Sequence, residues 1–512
     1  MRDQEGSPVD SVMDQPTNDI ALEMFQGFDS IENTSRNTAA VGSIFTGGAT
    51  SEASFQICRS LEEIEHSLNV HGRLDAQKFF GSFSARMGLI DKFNITRFST
   101  SLIIHSFHHT SHFAKSVKVP IEHLPSGNSF TLNDFFQYYG DSYVKETQLG
   151  HEYIAIYHFD SVDKSQQTSI ESELKGNHSG LTGSIDASLA LNIQNAIKKS
   201  EVRVNCHQIL RGINQQLPPY RPDKIIEFAL KVPYLPASKT DSVCIDFSTE
   251  SYIHAINVPS GEFKCLEYSV QASDSVSKKL ESKNNLLKEI QYIESIYNTY
   301  HYYHDDLLKT RKNIIKDDIS KLEKFLSEIK DDPTTEHKLP IMKSRQFGFP
   351  HLNKEISKYN MGGTHASRST FNDYSDIKNF VENRTTISGF SGQGDNVIRY
   401  LFTKYKDANG IEYEKTHGSK EGPGFPWLQI NDDVFVKEIK VTRGDYVNSI
   451  KLTLSDGTNE KIPKDPESAD SAVWEASTSN THQFFLAFSG SSGSRINQVD
   501  LVVLRLRPAS WS

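Results

Sequence analysis

Between Leu181 and Gln194 the chain alternates without a break. Leu181, Gly183, Ile185, Ala187, Leu189, Leu191 and Ile193 take the odd positions, and Thr182, Ser184, Asp186, Ser188, Ala190, Asn192 and Gln194 the even ones. Successive side chains of a strand point to opposite faces, so as a strand this segment has one apolar and one polar face. It is longer than the ~9–11 residues a tilted strand needs to cross a bilayer. Its polar face of Ser, Thr, Asn, Gln and Asp suits a water-filled lumen. Few other patterns constrain a fold so strongly.

A second stretch alternates less cleanly. Phe79, Gly81, Phe83, Ala85, Met87 and Leu89 alternate with Phe80, Ser82, Ser84, Arg86, Gly88 and Ile90. Half-buried strands of an ordinary soluble sheet have the same period, so alternation alone leaves both readings open. Both stretches are rich in Ala, Ser and Leu, which tolerate helix. The expectation is that residues 165–200 fold as short helices in solution and extend on membrane insertion.

At 512 residues the chain exceeds the ~250–300 at which one core stops growing, so more than one domain is expected. The net charge of −10, without a basic stripe, argues against a nucleic-acid partner and against adhesion to anionic lipid by bulk charge. No apolar run is long enough for a membrane-spanning helix. Met1 to Asp19 is polar and lacks the pattern of a secretory signal; a removed signal, another export route and release on lysis all stay open. Cys58, Cys206, Cys244 and Cys265 form no disulfide framework and no Cys-x-x-Cys metal site. Two disulfides are open to them; buried free thiols are expected.

From Ser275 to about Asp332 apolar residues recur at helical spacing, which predicts an antiparallel helix pair packed on a sheet domain. Residues 333–385, including Met361-Gly362-Gly363-Thr364, read as irregular connection. From Thr386 to Pro508 short strands separated by Asp456-Gly457 and Ser489-Gly490-Ser491-Ser492-Gly493 suggest a sandwich, prism or barrel.

Phe135 to His151 contains Tyr139-Gly140-Asp141-Ser142-Tyr143-Val144 and, after a spacer, Gly150-His151. This resembles the signature of the membrane-attack-complex/perforin family, Tyr-Gly-Thr-His-Phe, a spacer and Gly-Gly. Tyr139, Gly140, Tyr143, Val144 and Gly150 fall in register; Asp141, Ser142 and His151 depart from it. Gly27-Phe28-Asp29 resembles the family's opening strand. The resemblance covers roughly residues 20–330. It implies a pore-forming α+β domain: a bent central antiparallel sheet flanked by helical clusters, with Gly150 at the bend. Its two membrane-inserting segments would lie on either side of the signature, with Phe79, Phe83, Ala85, Met87 and Leu89 on one lipid-facing surface and Leu181, Ile185, Ala187, Leu189, Leu191 and Ile193 on the other.

Gly389-Phe390-Ser391-Gly392-Gln393-Gly394-Asp395, Ile439 to Gly444, Val447 to Ile450 and Phe488 to Gly493 resemble jacalin-like lectins, which are β-prisms. The resemblance implies an all-β prism-like domain for target binding, with Gly392, Gly394 and Asp395 in its ligand loop. That family also uses a late Gly-x-x-x-Asp loop, for which no counterpart is read here, so weak or no binding of simple mannose or galactose is expected.

His105, His108, His109 and His112 lie on a predicted strand that splits them between two faces, so metal convergence is poor. His301 and His304 stand at i, i+3 spacing beside Asp305 and Asp306, more in keeping with a solvated helix face than with a ligand pair. Phe425-Pro426-Trp427, Tyr446 and Trp474 are by default packing residues, and an exposed pair would suggest a sugar-stacking or membrane-interface surface. No nucleophile elbow, phosphate loop or His-Glu-x-x-His motif supports an enzyme. The expected organisation is a tail (1–20), a pore-forming domain (21–335), a connection (336–385) and a β-rich target-binding domain (386–512). The expected action is cofactor- and metal-free: a soluble monomer, secreted or released, binds lipid or a glycan receptor and joins copies of itself in a ring. A non-lytic perforin-like adhesion protein and one half of a two-component toxin are the alternatives.

Overall fold

The computed structural model describes residues 22–68, 86, 88–90, 92–93, 99–125, 131–161, 164–199, 204–236, 243–363, 369–377, 379–462, 470–476 and 482–511. They fall into two compact units, Met1–Ser282 with Ile319–Ile341, and Lys283–Asp318 with Met342–Ser512.

The first unit is organised by three long antiparallel strands, β3 (Val41–Cys58), β4 (Thr100–Lys118) and β5 (Ser142–Phe159). With β1 (Gly27–Asp29), β2 (Thr34–Ser35) and β6 (Thr182–Ser184) they form a sheet of order β2-β1-β5-β4-β3-β6. The outer edge of β5 is shared by β7 (Val204–Arg211), opposite residues 152–159, and β8 (Val243–Ser251), opposite residues 142–150. The partner therefore changes at Gly150–His151, where the sequence placed a bend.

One end of this sheet is buried on both faces, which is why its strands read as apolar runs rather than clean alternation. On one face Leu102, Ile104, Tyr153, Ala155 and Tyr157 pack against Ile170, Leu174, Leu189, Ile193 and Ala196. On the other, Ile103, Ile154 and Ile156 pack against Leu61, Ile64, Leu68, Leu89, Ile90 and Phe93. The covering residues belong to α1 (Leu61–Ser67) with Leu68 at its end, α3 (Lys164–Lys175) and α4 (Ala187–Lys199), with Leu89, Ile90 and Phe93.

The signature forms a knot of backbone bonds. Helix α2 (Leu132–Tyr139) starts with a capping box between Thr131 and Asp134 and ends at Gly140, whose φ of +79° a side chain rarely adopts. A Cβ on Gly140 would sit 2.1 Å from the Phe28 carbonyl oxygen. The Val144 amide donates to the Gln26 carbonyl, and the buried Tyr143 hydroxyl donates to Glu250 at 2.8 Å. Short helix α5 (Pro222–Lys231) precedes β8; the long helices α6 (Ser260–Thr299) and α7 (Asp306–Asp331) follow it. The helical stretch thus begins earlier than its periodicity implied.

The second unit holds three four-stranded antiparallel sheets. Their strands are β9 (Pro350–Gly362), β10 (Thr370–Asn372), β11 (Thr386–Gly394), β12 (Ile398–Lys406), β13 (Glu412–Gly418), β14 (Leu428–Gln429), β15 (Val436–Arg443), β16 (Val447–Leu454), β17 (Asn459–Ile462), β18 (Asp470–Glu475), β19 (Gln483–Ser492) and β20 (Ile496–Trp511). The orders are β10-β19-β20-β9, β13-β12-β11-β14 and β17-β16-β15-β18. This corrects the assignment of 336–385 as connection: β9 pairs with β20 along its whole length, so the β unit begins well before Thr386.

The ends of α6 and α7 pack within this unit. Tyr300 donates from its hydroxyl to the carbonyls of Phe380 and Thr385, and Tyr297 to that of Arg507. Asp305 receives the Ala509 amide at 2.7 Å. His301 has φ +56° and lies past the end of α6, so the expected helical His301/His304 pair does not form.

Candidate functional site

Four strand ends meet in register at the covered end of the first unit's sheet. Cys58 of β3 pairs with Ser101 of β4, Thr100 with Phe159 of β5, and Phe159 with Val204 of β7. Antiparallel neighbours are commonly joined by 2–5 residues. Here residues 59–99 join β3 to β4, and residues 160–203 join β5 to β7. The described residues of each connection cover one face of the sheet it leaves.

The second connection is helical over Lys164–Lys175 and Ala187–Lys199, the form expected of it in solution, rather than the strand that its alternation alone would give. Among its described residues only Thr182–Ser184 is strand, pairing with Ser54–Gln56; Ala187–Lys199 is helical. The cause is local. Asp186, read from alternation as a lumen-facing residue, caps α4 by accepting the Ser188 and Leu189 amides. Lys198 and Lys199 oppose the negative end of the helix dipole. At the C-terminus of α3, Gly176 with φ +51° donates its amide to Ser172. The odd-position residues are consequently not one face. Ile185, Leu189 and Ile193 are buried, Leu181 is half-buried, Ala187 is exposed, and Leu191 is 57% exposed. Of the first stretch, Phe79, Phe83, Ala85 and Met87 lie outside the described residues; Leu89 is helical and buried.

A buried charge cluster joins the first connection to the sheet. The Glu152 carboxylate accepts from Arg86 Nη2 at 2.7 Å, Arg211 Nη1 at 2.6 Å and His105 Nε2 at 3.1 Å. Burial pushes this carboxyl up, but Arg86, His105 and Arg211 together hold it well below the usual range. None of these contacts was legible in sequence; an ionisable residue inside the apolar run Tyr153–Tyr157 and its flank was the only signal.

The other histidines are split between faces as expected. His108 is hydrogen-bonded to Ser51 and stacked on His151 at 5.5 Å, while His112 meets Thr46. Among the described residues no group of three or more metal-ligating side chains forms, and no helix is long and apolar enough to cross a membrane. Cys58, Cys206 and Cys244 are buried free thiols.

In the second unit the expected ligand loop divides differently. Gly392 and Gly394 belong to strand β11, and Asp395 sits in the β11–β12 turn, paired with Arg399 at 3.0 Å. An open cleft of about 890 Å³ lies elsewhere, lined among others by Lys358, Phe371, Asn372, His417, Ser491 and Asp500. Phe371 stacks on His417, ring centroids 3.7 Å apart, and Asp373 holds the far side of that imidazole at 2.7 Å. A turn at residues 493–495 joins β19 to β20, whose second residue is Asn497. Gly363 packs against it, since a Cβ there would lie 1.9 Å from the Asn497 carbonyl oxygen. Trp427 is 39% exposed, lying over Gly389 and beside Phe402 at 5.2 Å.

No family model and no curated protein matches this chain. Among solved structures, jacalin-related lectins match part of it. A Malaysian banana lectin is 13% identical, with 29% of this chain and 98% of the lectin covered and a TM-score of 0.24. A mannose-binding jacalin-related lectin from Ananas comosus is 15% identical, with 30% and 98% covered and a TM-score of 0.25. A mannose-specific jacalin-related lectin from Morus nigra, in complex with mannose, is 10% identical, with 33% and 99% covered and a TM-score of 0.24.

Proposed function

We propose that this chain is a pore-forming protein: it binds a target membrane as a soluble monomer, assembles with copies of itself, and extends its two connections into hairpins of a shared β-barrel. One observation carries the reading. Both long connections leave the same sheet end between antiparallel neighbours, so straightening them would continue β3-β4 and β5-β7 without changing strand order. In solution the second connection is folded as helices that bury its Leu and Ile, yet its sequence keeps the period of a strand. At ~3.3 Å per residue a hairpin arm of about twenty residues reaches ~65 Å, beyond the ~30 Å hydrocarbon core. A lone hairpin in lipid leaves edge amides and carbonyls unpaired, so closure by neighbouring copies is required.

The β-sheet unit is proposed as the target-binding module, through the cleft beside Phe371 and His417, with a glycan as the ligand class. An aromatic wall with convergent Lys, Asn, Asp and Ser groups suits a polyhydroxylated ring. A non-lytic lectin-type binder would use the same cleft and never release the helices.

A tether separates these readings. Ser54 and Ser184 are paired across β3 and β6, so S54C/S184C, with the native cysteines replaced, joins the second connection to the sheet. A His-tagged protein held on phosphatidylcholine vesicles by a nickel-chelating lipid removes the need for a receptor. The oxidised protein should bind without dye release, and reductant should restore leakage. Equal leakage in both states would reject the helix-to-hairpin step.

A further inference from the structure

Glu152 is 0% exposed and Arg86 2%. The partners of Glu152 differ in where they belong. Arg211 lies on β7 and His105 on β4, both in the sheet, whereas Arg86 lies in the connection between β3 and β4. The same guanidinium also donates to the Leu68 carbonyl at 2.9 Å, beyond the end of α1, and to the Ile245 carbonyl of β8 at 2.9 Å. One side chain thus fastens two places in the connection to the sheet, through bonds no solvent reaches.

The geometry points to the Arg86–Glu152 pair as the latch that holds the end of α1 at Leu68 and the described residues around Arg86 on the sheet, so that its rupture gates release of these parts of the first connection. What release achieves rests on the pore-forming reading; the latch itself does not. Three features make this pair suited to opening. Removing one partner of a buried ion pair is costly because it strands the other charge. Here Glu152 keeps Arg211 on Oε1 and His105 on Oε2 when Arg86 departs, so the sheet is not left with an unpaired carboxylate. Arg86 itself falls on the even, polar positions of the Phe79–Ile90 stretch, so in a hairpin it faces the aqueous side. Leu89 and Ile90, which leave a buried cluster with it, are apolar side chains held there by packing.

The experiment uses the full-length chain carrying R86M, with R86K as a second variant that keeps the charge but not the forked contacts. Amide hydrogen exchange is read on the soluble protein, without membrane. Exchange in residues 61–68 and 88–93 should rise at least tenfold in R86M and by less in R86K, with β7 and the C-terminal sheets unchanged. On nickel-chelating phosphatidylcholine vesicles, R86M should release dye several-fold faster than the parent at equal bound protein. Parental exchange in both variants would overturn the latch even if the parent leaks. Faster exchange with no leakage from parent or variant would uphold the latch and overturn the pore. If R86M does not fold, R86K alone decides, by exchange in the same residues.

Discussion

Gly212 rests directly on the peptide of Gly150: a Cβ built on Gly212 would lie 2.1 Å from the Gly150 carbonyl oxygen, and Gly212 has φ +72°. Gly150 is equally hemmed in on its other side, where a Cβ would lie 1.9 Å from the His108 carbonyl oxygen. The two glycines let β5 change partners from β8 to β7 without prising apart the ladder. G150A should therefore cost about 3 kcal/mol or more and G150V should not yield folded protein, by thermal melting and solubility. A lytic defect in G150V would then report misfolding, not a blocked bend.

Asp141 gives a pH dependence of definite sign. Burial raises its carboxyl to about 6, against hydrogen bonds from the Ser30 amide and hydroxyl, with Asp29 adding to the rise. The folded chain holds this proton more tightly than the unfolded one. Its contribution is fully present below the unfolded value near 3.8 and is lost as pH rises through about 6. D141N should remove that loss and raise stability at pH 7, by on the order of 3 kcal/mol at most. Denaturant melts at pH 4 and pH 7 check this: the two curves for D141N should lie closer together than the parent's.

His151 has the opposite sign. Burial lowers it, the bond from Nε2 to the Val232 carbonyl opposes the shift, and His108 adds to it; Nδ1 is buried without a partner. Its neutral form is the folded one, so its contribution is present above the unfolded value of 6.5 and lost as pH falls through the lowered value. The pH 5 to 7 slope of the first unit's melting temperature should be shallower in H151Q, which keeps a donor for Val232.

The division of the chain predicts which fragments fold. Residues 386–508 alone lack β9 and so expose the edge of β20, and they lack Tyr297 and Tyr300, which are buried in this unit. That fragment should aggregate, whereas one starting at Lys283 should give a cooperative melt and well-dispersed amide resonances.

What the sequence could disclose follows from the range of the forces involved. The opening strand Gly27–Asp29 was legible through the family resemblance and the strands after Thr386 through local turn chemistry. Helix α4 was not read from its period, because alternation and helix share Leu189 and Ile193 as apolar positions and Asp186 decides between them as a cap. Strand β9 was hidden by Lys354, Glu355 and Lys358, charges that an edge strand tolerates. The Glu152 cluster joins residues from four separate segments, and no local pattern announces it.

The most direct test of the account lies in two neighbouring leucines. Leu189 is buried under the sheet, so L189R destabilises the soluble chain and leaves the result ambiguous. Leu191 shares its odd position but is 57% exposed in the helical state. L191R should melt like the parent and reach vesicles equally well. In a hairpin the same arginine would face lipid near mid-membrane, at about 2–4 kcal/mol per subunit. Dye release by L191R on nickel-chelating vesicles is the measurement: the account predicts that it is abolished, and release at the parent's rate by a normally folded L191R would contradict it.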